Sequence, residues 1–351
     1  MSLSPVFAIG GRRVGPGEPT YVIAEIGANH NRNFAVAERL IDAAAGAGAD
    51  AVKFQTYSGD RIYSRNTPAF DYLEGVSDKS PAELLEEISL PREWHAPLRD
   101  MARARGIDFF SSPFDHEAVE ELDALDVPVL KIASFEIGDL PLIRAAAATG
   151  RPLIISTGMA SLGDIEEALE AVADAGATSV GLMQCTSLYP APPELANLHA
   201  MATLERAFGV PVGLSDHTTG VAVPIAAAAL GAAFLEKHVT LDRSMEGPDH
   251  PFAIEPDELD VMVKGVREVQ AALGDGLKHG PSAAERVEMF TKARRSLVAA
   301  TAIPAGTIVD RDMLTVKRPG SGVAPKHLEI VVGRPARVDI AEDDVITWDM
   351  V

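Results

Sequence analysis

Residues 210–220 read VPVGLSDHTTG: a short apolar run, then Ser215, Asp216, His217 and Thr218 in immediate succession. Polar, ion-capable side chains crowded where a buried strand stops are what a parallel α/β barrel requires, because its reacting groups gather at the C-terminal strand ends and in the loops that follow. The rest of the chain can be searched for the same signature. Short β-branched or apolar runs occur at 21–27 (YVIAEIG), 51–56 (AVKFQT), 108–114 (DFFSSPF), 129–134 (VLKIAS), 152–158 (PLIISTG), 179–186 (SVGLMQCT), 211–217 (PVGLSDH) and 234–240 (FLEKHVT). Amphipathic helical patterns such as FAVAERLIDAAAGAG and LGDIEEALEAVADAG lie between them, several closing on Gly. Eight strands alternating with helices over roughly 250 residues match a TIM (β/α)8 barrel. A doubly wound open sheet is the competing arrangement, but no GxGxxG follows the first run.

The polarity that a barrel demands is obeyed at each strand end. Glu25 ends the first, Lys53 and Gln55 the second, Ser111 and Ser112 the third, and Lys131 and Ser134 the fourth. Ser156, then Ser187 and Tyr189, then Ser215 and His217, and finally Glu236 and His238 follow in the remaining four. Beyond the last barrel helix the texture changes. A polar connector, 276–292, leads into Val-, Ile- and Thr-rich runs punctuated by Pro and Gly, as expected of a small, mostly β domain over 293–351. The expected organisation is therefore a barrel domain over 1–275, a linker over 276–292 and a small domain over 293–351.

The formal net charge of −20 argues against sequence-independent binding of nucleic acid or an anionic membrane, both of which need surplus Lys and Arg. An anionic substrate would then require a local basic pocket. The single cysteine, Cys185, forms no internal disulfide, and the first residues contain no apolar run of signal-peptide length, so a reducing cytoplasm is the expected location. Cys185, in an apolar strand, reads as an inert core thiol.

His217 and His238 end consecutive strands, which are neighbours in a closed barrel, so their imidazoles can share one ion. With oxygen ligands and water completing the shell, a Mn²⁺-type site fits, and two hydrogen-bonded barrel histidines are the alternative. Lys53 and Lys131 sit in apolar surroundings at the same mouth. Either they pair with carboxylates such as Glu25 or Glu136, or they bind a phosphorylated or carboxylated substrate together with the hydroxyls of Ser134, Ser156, Ser187 and Ser215. Glu25, in the apolar segment AEIGANHN, needs a cationic, metal or substrate partner.

These segments, with FSSPFD, KIASFE, ISTGM, CTSLYPAP, EKHVTLD, GPDH, KARRSLVA and VKRPGSGV, resemble in order those of the sialic acid synthases and their relatives that make nine-carbon nonulosonic acids. The resemblance implies a TIM barrel followed by an antifreeze-like (SAF) domain, assembled as a domain-swapped homodimer. It implies condensation of phosphoenolpyruvate with an N-acylated mannosamine-type sugar and release of phosphate by C–O cleavage. By the same resemblance, His217 and His238 match the Mn²⁺ ligands, and Lys53, Lys131, Ser134, Ser156, Ser187 and Ser215 match the phosphoenolpyruvate cradle. Position 187 is Asn in some sialic acid synthases. Gln55 and Ser112 join the substrate-binding set, Tyr189 and Asp249 match residues that hold the sugar, and Arg318 matches a tail-domain arginine that reaches the N-acyl group in the neighbouring subunit. Glu25 is the residue expected to handle a proton.

KIASFE and CTSLYP resemble the pseudaminic acid enzymes, whereas EGPDH and VKRPGSG resemble the sialic and legionaminic acid enzymes, so the resemblance leaves the acceptor open. Residues 58–75 are expected to form a loop over the sugar. The other readings are a metal-dependent aldolase or a 3-deoxy-2-ulosonate phosphate synthase, relatives usually built as barrels without the tail, and a non-enzymatic surface-polysaccharide or coat-binding protein.

Overall fold

A computed structural model describes residues 3–64, 66–68 and 79–351. It divides into two compact units, one ending at Gly274 and the other spanning Asp275–Val351.

The first unit opens with an antiparallel hairpin, Phe7–Ile9 (β1) and Arg12–Val14 (β2), turned at the Gly10–Gly11 pair. Eight parallel strands follow: Tyr21–Glu25 (β3), Ala51–Thr56 (β4), Asp108–Pro113 (β5), Leu130–Ile132 (β6), Leu153–Ser156 (β7), Val180–Cys185 (β8), Val212–Asp216 (β9) and Phe234–His238 (β10). Hydrogen-bonded neighbours run in the order β5, β4, β3, β10, β9, β8, β7, β6, and β6 comes alongside β5, so the sheet curls into a nearly closed cylinder. The last strand pairs with the first in the register His238 to Glu25. Every residue of β3, β9 and β10 is buried, as expected of parallel strands covered by side chains inside and helices outside.

Local signals set where the helices begin. Asn33 accepts hydrogen bonds from Ala35 N and Val36 N ahead of Phe34–Gly46, Asp115 accepts one from Ala118 N, and Ser161 forms a reciprocal capping box with Asp164 ahead of Leu162–Asp174. The hairpin closes the opposite end of the cylinder from the polar strand ends. Phe7 packs on Phe234, the first residue of β10, with ring centres 6.1 Å apart, and Ile9 and Val14 are buried in the same core. Asp50 holds this floor together: it bonds Arg12, accepts from the Val22 N–H at 2.8 Å, and accepts from Arg267 at 2.7 Å.

Part of the loop expected over the sugar lies outside the described residues, since 65 and 69–75 fall there; Gly59–Ile62 forms a helical turn. No described helix is long and apolar enough to cross a membrane.

In the second unit, residues expected as a connector carry two short helices, Ala283–Val287 and Met289–Ala293. The strands Ser296–Ala299 (β11) and Leu314–Lys317 (β12) pair antiparallel, and isolated bridges such as Ile303 to Ile340 extend the β character. Leu297, Ile303, Val309, Val331, Ile340 and Ile346 form a separate small core.

Candidate active site

Strand alternation decides which polar side chains enter the cylinder. In a strand, residues i and i+2 share a face. Ser215 pairs in register with Glu236, and the residues two positions further on in each chain are His217 and His238, so all four belong to the inner face. Glu25 and Lys53 are register partners on the same face.

The inner groups form one connected charge system. Lys53 Nζ lies 3.2 Å from Glu25 Oε2 and 3.4 Å from Glu236 Oε1, and donates to Ser112 Oγ at 3.2 Å. Lys131 Nζ donates to Ser156 Oγ at 2.5 Å and lies 3.9 Å from Glu236 Oε2. Ser215 Oγ donates to Glu236 Oε1 at 3.1 Å, and Gln55 Nε2 donates to Glu25 Oε1 at 2.7 Å. All of these charged groups are buried.

The two carboxylates respond in opposite directions. Burial, opposed by Lys53 but reinforced by the Glu236 charge, pushes Glu25 up to about 7. Burial also acts against ionised Glu236, but the ammonium groups of Lys131 and Lys53 overcome it and hold this carboxyl below its usual range. Burial lowers Lys131, whereas for Lys53 the two carboxylates outweigh burial and raise it. Glu25 thus holds an exchangeable proton at neutral pH beside a group that stays ionised.

Next to this system, Ser134 and Ser187 flank the backbone of Gly158. Ser134 Oγ accepts from Gly158 N–H at 3.0 Å, and Ser187 Oγ is buried with no hydrogen bond among the described residues. A Cβ on Gly158 would stand 2.2 Å from Ser187 Oγ and 2.8 Å from Ser134 Oγ. Two hydroxyls beside a bare backbone, with Lys131 held on Ser156 two residues before Gly158, make a cradle for a small anion, the local basic pocket that a chain of net charge −20 needs.

A second cluster lies on the β3 side. Gly27 has φ +51°, and a Cβ there would meet Glu25 Oε1 at 3.1 Å, Gln55 Nε2 at 3.2 Å and Asp249 Oδ2 at 3.3 Å. Glycine therefore serves twice: it adopts the left-handed turn and leaves room where three polar groups converge. Burial pushes Asp249 up to about 6, against the lowering effect of His217 and Lys53. The Tyr189 ring lies 4.3 Å from that of His217, with Phe252 5.0 Å from His238.

The two histidine rings are 5.4 Å apart. His217 Nδ1 is 2.9 Å from the Thr186 carbonyl oxygen, a contact that needs the proton on Nδ1; burial lowers this imidazole but Cys185 and the carbonyl outweigh it and raise its pKa, and only the neutral ring would offer an Nε2 lone pair to an ion. His238 Nδ1 is buried without a hydrogen bond among the described residues, 3.5 Å from Asp249 Oδ2. Burial, then the positive charge of His217 and three lysines, holds His238 well below its ordinary range, so its ring is neutral. Two imidazoles with uncommitted nitrogens beside a carboxylate fit a divalent ion of the Mn²⁺ type. Among the described residues no group of three or more His, Cys, Asp or Glu side chains is arranged to hold an ion, so water or substrate oxygens would complete the shell.

Most of the sequence-predicted site therefore converges: Glu25, Lys53, Gln55, Ser112, Lys131, Ser134, Ser156, Ser187, Tyr189, Ser215, His217, His238 and Asp249 gather at the C-terminal ends of the barrel strands. Arg318 lies in the second unit, directly after β12, exposed and without a hydrogen bond or ion pair among the described residues. Cys185 is buried, with Sγ 3.8 Å from His217 Nδ1. The alternative that the lysines pair with carboxylates is realised alongside the cradle, but with Glu236 as the shared partner and not Glu136. Sequence reasoning gave Glu236 no role, although a carboxylate inside the apolar strand FLEKHVT, two residues before His238, carries the same signal that singled out Glu25. Glu136, expected as a partner of the lysines, makes no ion pair among the described residues; its Oε2 is buried without a hydrogen bond, and burial, opposed by Lys131, pushes it to about 7.

Comparison with known proteins agrees with this geometry. The chain is 39% identical over 331 residues to an N,N'-diacetyllegionaminic acid synthase of Campylobacter jejuni, covering 93% of this chain and 98% of that one. It is 36% identical over 344 residues to the N-acetylneuraminate-9-phosphate synthase of Mus musculus, covering 97% and 95%. The crystal structure of an N-acetylneuraminic acid (sialic acid) synthetase from Leptospira borgpetersenii superposes with a TM-score of 0.73 at 33% identity, covering 82% of this chain and 96% of that one. Residues 294–351 match the SAF domain and residues 40–278 match the NeuB family. The chain belongs to the NeuB family.

Proposed function

We propose that this protein condenses phosphoenolpyruvate with the open-chain aldehyde of an N-acylated mannosamine-type or diacetamido-trideoxyhexose sugar, forming a nine-carbon sialic acid-like nonulosonate and inorganic phosphate. The observation that carries this reading is the buried charge system Glu25, Lys53, Glu236 and Lys131, on the inner face that also carries Ser215, His217 and His238.

In this reaction C3 of phosphoenolpyruvate attacks the aldehyde carbon, whose oxygen takes up a proton. Water adds at the resulting cationic C2 and loses a proton, and the C–O bond to phosphate then breaks as the keto group forms, the remaining hydroxyl proton leaving with the phosphate. Lys53 and Lys131, with Ser134, Ser156, Ser187 and Ser215, bind the phosphate and carboxylate of phosphoenolpyruvate. Glu25, buried with Oε2 3.2 Å from Lys53 Nζ, holds the proton exchanged at the reacting oxygen or the added water. Glu236 stays ionised and balances the lysines. Gln55, Tyr189 and Asp249 orient the sugar. His217 and His238 would hold a divalent ion, Mn²⁺ by donor type, which as a Lewis acid supplies polarisation of the sugar aldehyde.

The working form proposed is a cytoplasmic homodimer in which the second unit of one chain serves the barrel of the other, with the unpaired Arg318 meeting the N-acyl group of the sugar. Incubation with phosphoenolpyruvate and Mn²⁺, with phosphate release measured for N-acetylmannosamine and for the diacetamido-trideoxyhexose precursors of legionaminic and pseudaminic acids, tests the assignment. Release with one sugar is expected; no release with any of the three from folded, metal-loaded protein would overturn it.

A further inference from the structure

On the outer face of β9 and β10, away from the reacting groups, a second ion pair is buried. Asp216 and Lys237 are register partners, each at the position between two inward-facing residues of its own strand: Ser215 and His217, and Glu236 and His238. Their side chains are 2% and 1% exposed, and Lys237 Nζ donates to Asp216 Oδ2 at 2.5 Å. The pair also grips Thr218. Asp216 accepts from the Thr218 N–H at 3.0 Å and from its hydroxyl at 3.1 Å, while Lys237 donates to the Thr218 carbonyl oxygen. The network therefore fixes the residues on both sides of His217 and the residue before His238.

Stability does not explain such a pair. Ordinary aliphatic residues fill outward positions elsewhere in the barrel, such as Val52 and Leu214, and replacing a buried ion pair with apolar groups of similar volume is often neutral or stabilising. A charged, hydrogen-bonded pair supplies directional restraint instead, here on two strand ends whose imidazoles must keep a set separation.

We propose that Asp216 and Lys237 are positioning residues, a clamp outside the barrel wall that sets the spacing of His217 and His238 for a divalent ion. This rests on the reading of the two histidines as its ligands. Neither Asp216 nor Lys237 contacts the ion or the substrates.

Mn²⁺ binding to the full-length protein, measured by titration calorimetry without substrates, tests the clamp. The variants are D216N, which keeps an acceptor for Thr218 but loses the charge, the apolar pair D216L/K237M, and H217A as a control for the metal reading. Melting temperature and metal-free phosphoenolpyruvate binding are recorded for each. Wild-type protein is expected to bind Mn²⁺ and H217A to lose that binding. D216N and the apolar pair should bind more weakly by about tenfold or more, toward the lower end of the loss seen when groups that orient metal ligands are removed, while phosphoenolpyruvate affinity is retained and the apolar pair melts near the wild-type temperature. D216N with wild-type Mn²⁺ affinity would overturn the clamp while H217A still reports on the ligands; this holds even if the apolar pair does not fold. H217A binding as tightly as wild type, or no saturable binding to wild type, would remove the metal reading and the clamp together.

Discussion

Glu25 and Glu236 share a single ammonium group, the Nζ of Lys53, at 3.2 and 3.4 Å. The third neighbour, Lys131, is on the Glu236 side, so the two carboxyls divide the available charge unequally: Glu236 is held ionised and Glu25 carries the proton near neutrality. Two like groups with separated proton affinities around one cation are an arrangement for moving a proton at physiological pH.

That division sets the expected pH profile. In wild type, kcat/KM should show a limb near pH 7 from Glu25. Glu236→Gln removes a negative charge that helps raise Glu25, so the limb should move to lower pH. A limb unmoved in Glu236→Gln would show that the two carboxyls do not interact as their geometry implies.

Lys131 is expected to act on phosphoenolpyruvate. Lys131→Ala removes a charged donor 2.5 Å from Ser156 Oγ and leaves Glu236 with one fewer cation. Loss of one charge-assisted contact corresponds to about a 10- to 100-fold fall in kcat/KM for phosphoenolpyruvate. Steady-state kinetics with each substrate varied in turn should place the larger effect on phosphoenolpyruvate; an effect confined to the sugar would reassign the residue.

Gly158→Ala separates fold from cradle. The added methyl would displace the Ser187 and Ser134 hydroxyls, crowd Ser134 Cβ at 3.2 Å and break the hydrogen bond from Gly158 N–H to Ser134 Oγ, a local cost that leaves the barrel core untouched. The expected outcome is a folded variant of lowered melting temperature, from the buried donor left unpaired, with phosphoenolpyruvate KM raised about tenfold or more. Unchanged KM in a folded variant would mean that the anion binds elsewhere.

Glu136 gives a stability prediction with a defined sign. Its folded pKa, about 7, lies above the unfolded value near 4.5, so between these values the unfolded chain has released a proton that the folded chain retains. Stability associated with this group is complete below about pH 4.5 and declines as pH rises through 7. Glu136→Gln, which cannot ionise, should therefore be stabilised relative to wild type at pH 8, by something on the order of 1 kcal/mol after allowance for partial exposure, and gain nothing at pH 4.5. Denaturant titrations at the two pH values check this, and an equal effect at both would rule out the ionisation argument.

Removing the metal should be visible without catalysis. Saturating a folded-state site at a hundred times its dissociation constant stabilises by about 2.7 kcal/mol. Chelation is accordingly expected to lower the melting temperature of wild type and to leave that of His238→Ala unchanged.

The eight strands could be read from the sequence because each is a short apolar run bounded by turn residues, and the reactive groups because polar side chains at the ends of buried strands are too costly to place there without partners. The same reasoning missed the hairpin of β1 and β2, although its Gly10–Gly11 turn between short alternating runs was a usable signal. It also gave no role to Asp216 and Lys237, which look like ordinary polar punctuation beside histidines until the register of β9 and β10 makes them partners.

By itself the sequence determined which residues are polar, which segments are strands and on which alternate face each side chain lies, because the two-residue period of a strand is a local property. Only the tertiary structure decided who meets whom. Lys53 could have paired with Glu25 alone, and Lys131 with Glu136; closing the cylinder brought β10 between β3 and β9 and made Glu236 the carboxylate common to both lysines. Burial and opposing charge, which set the proton on Glu25 and withhold it from Glu236, are sums over neighbours distant in the chain, and those neighbours are fixed only when the barrel closes.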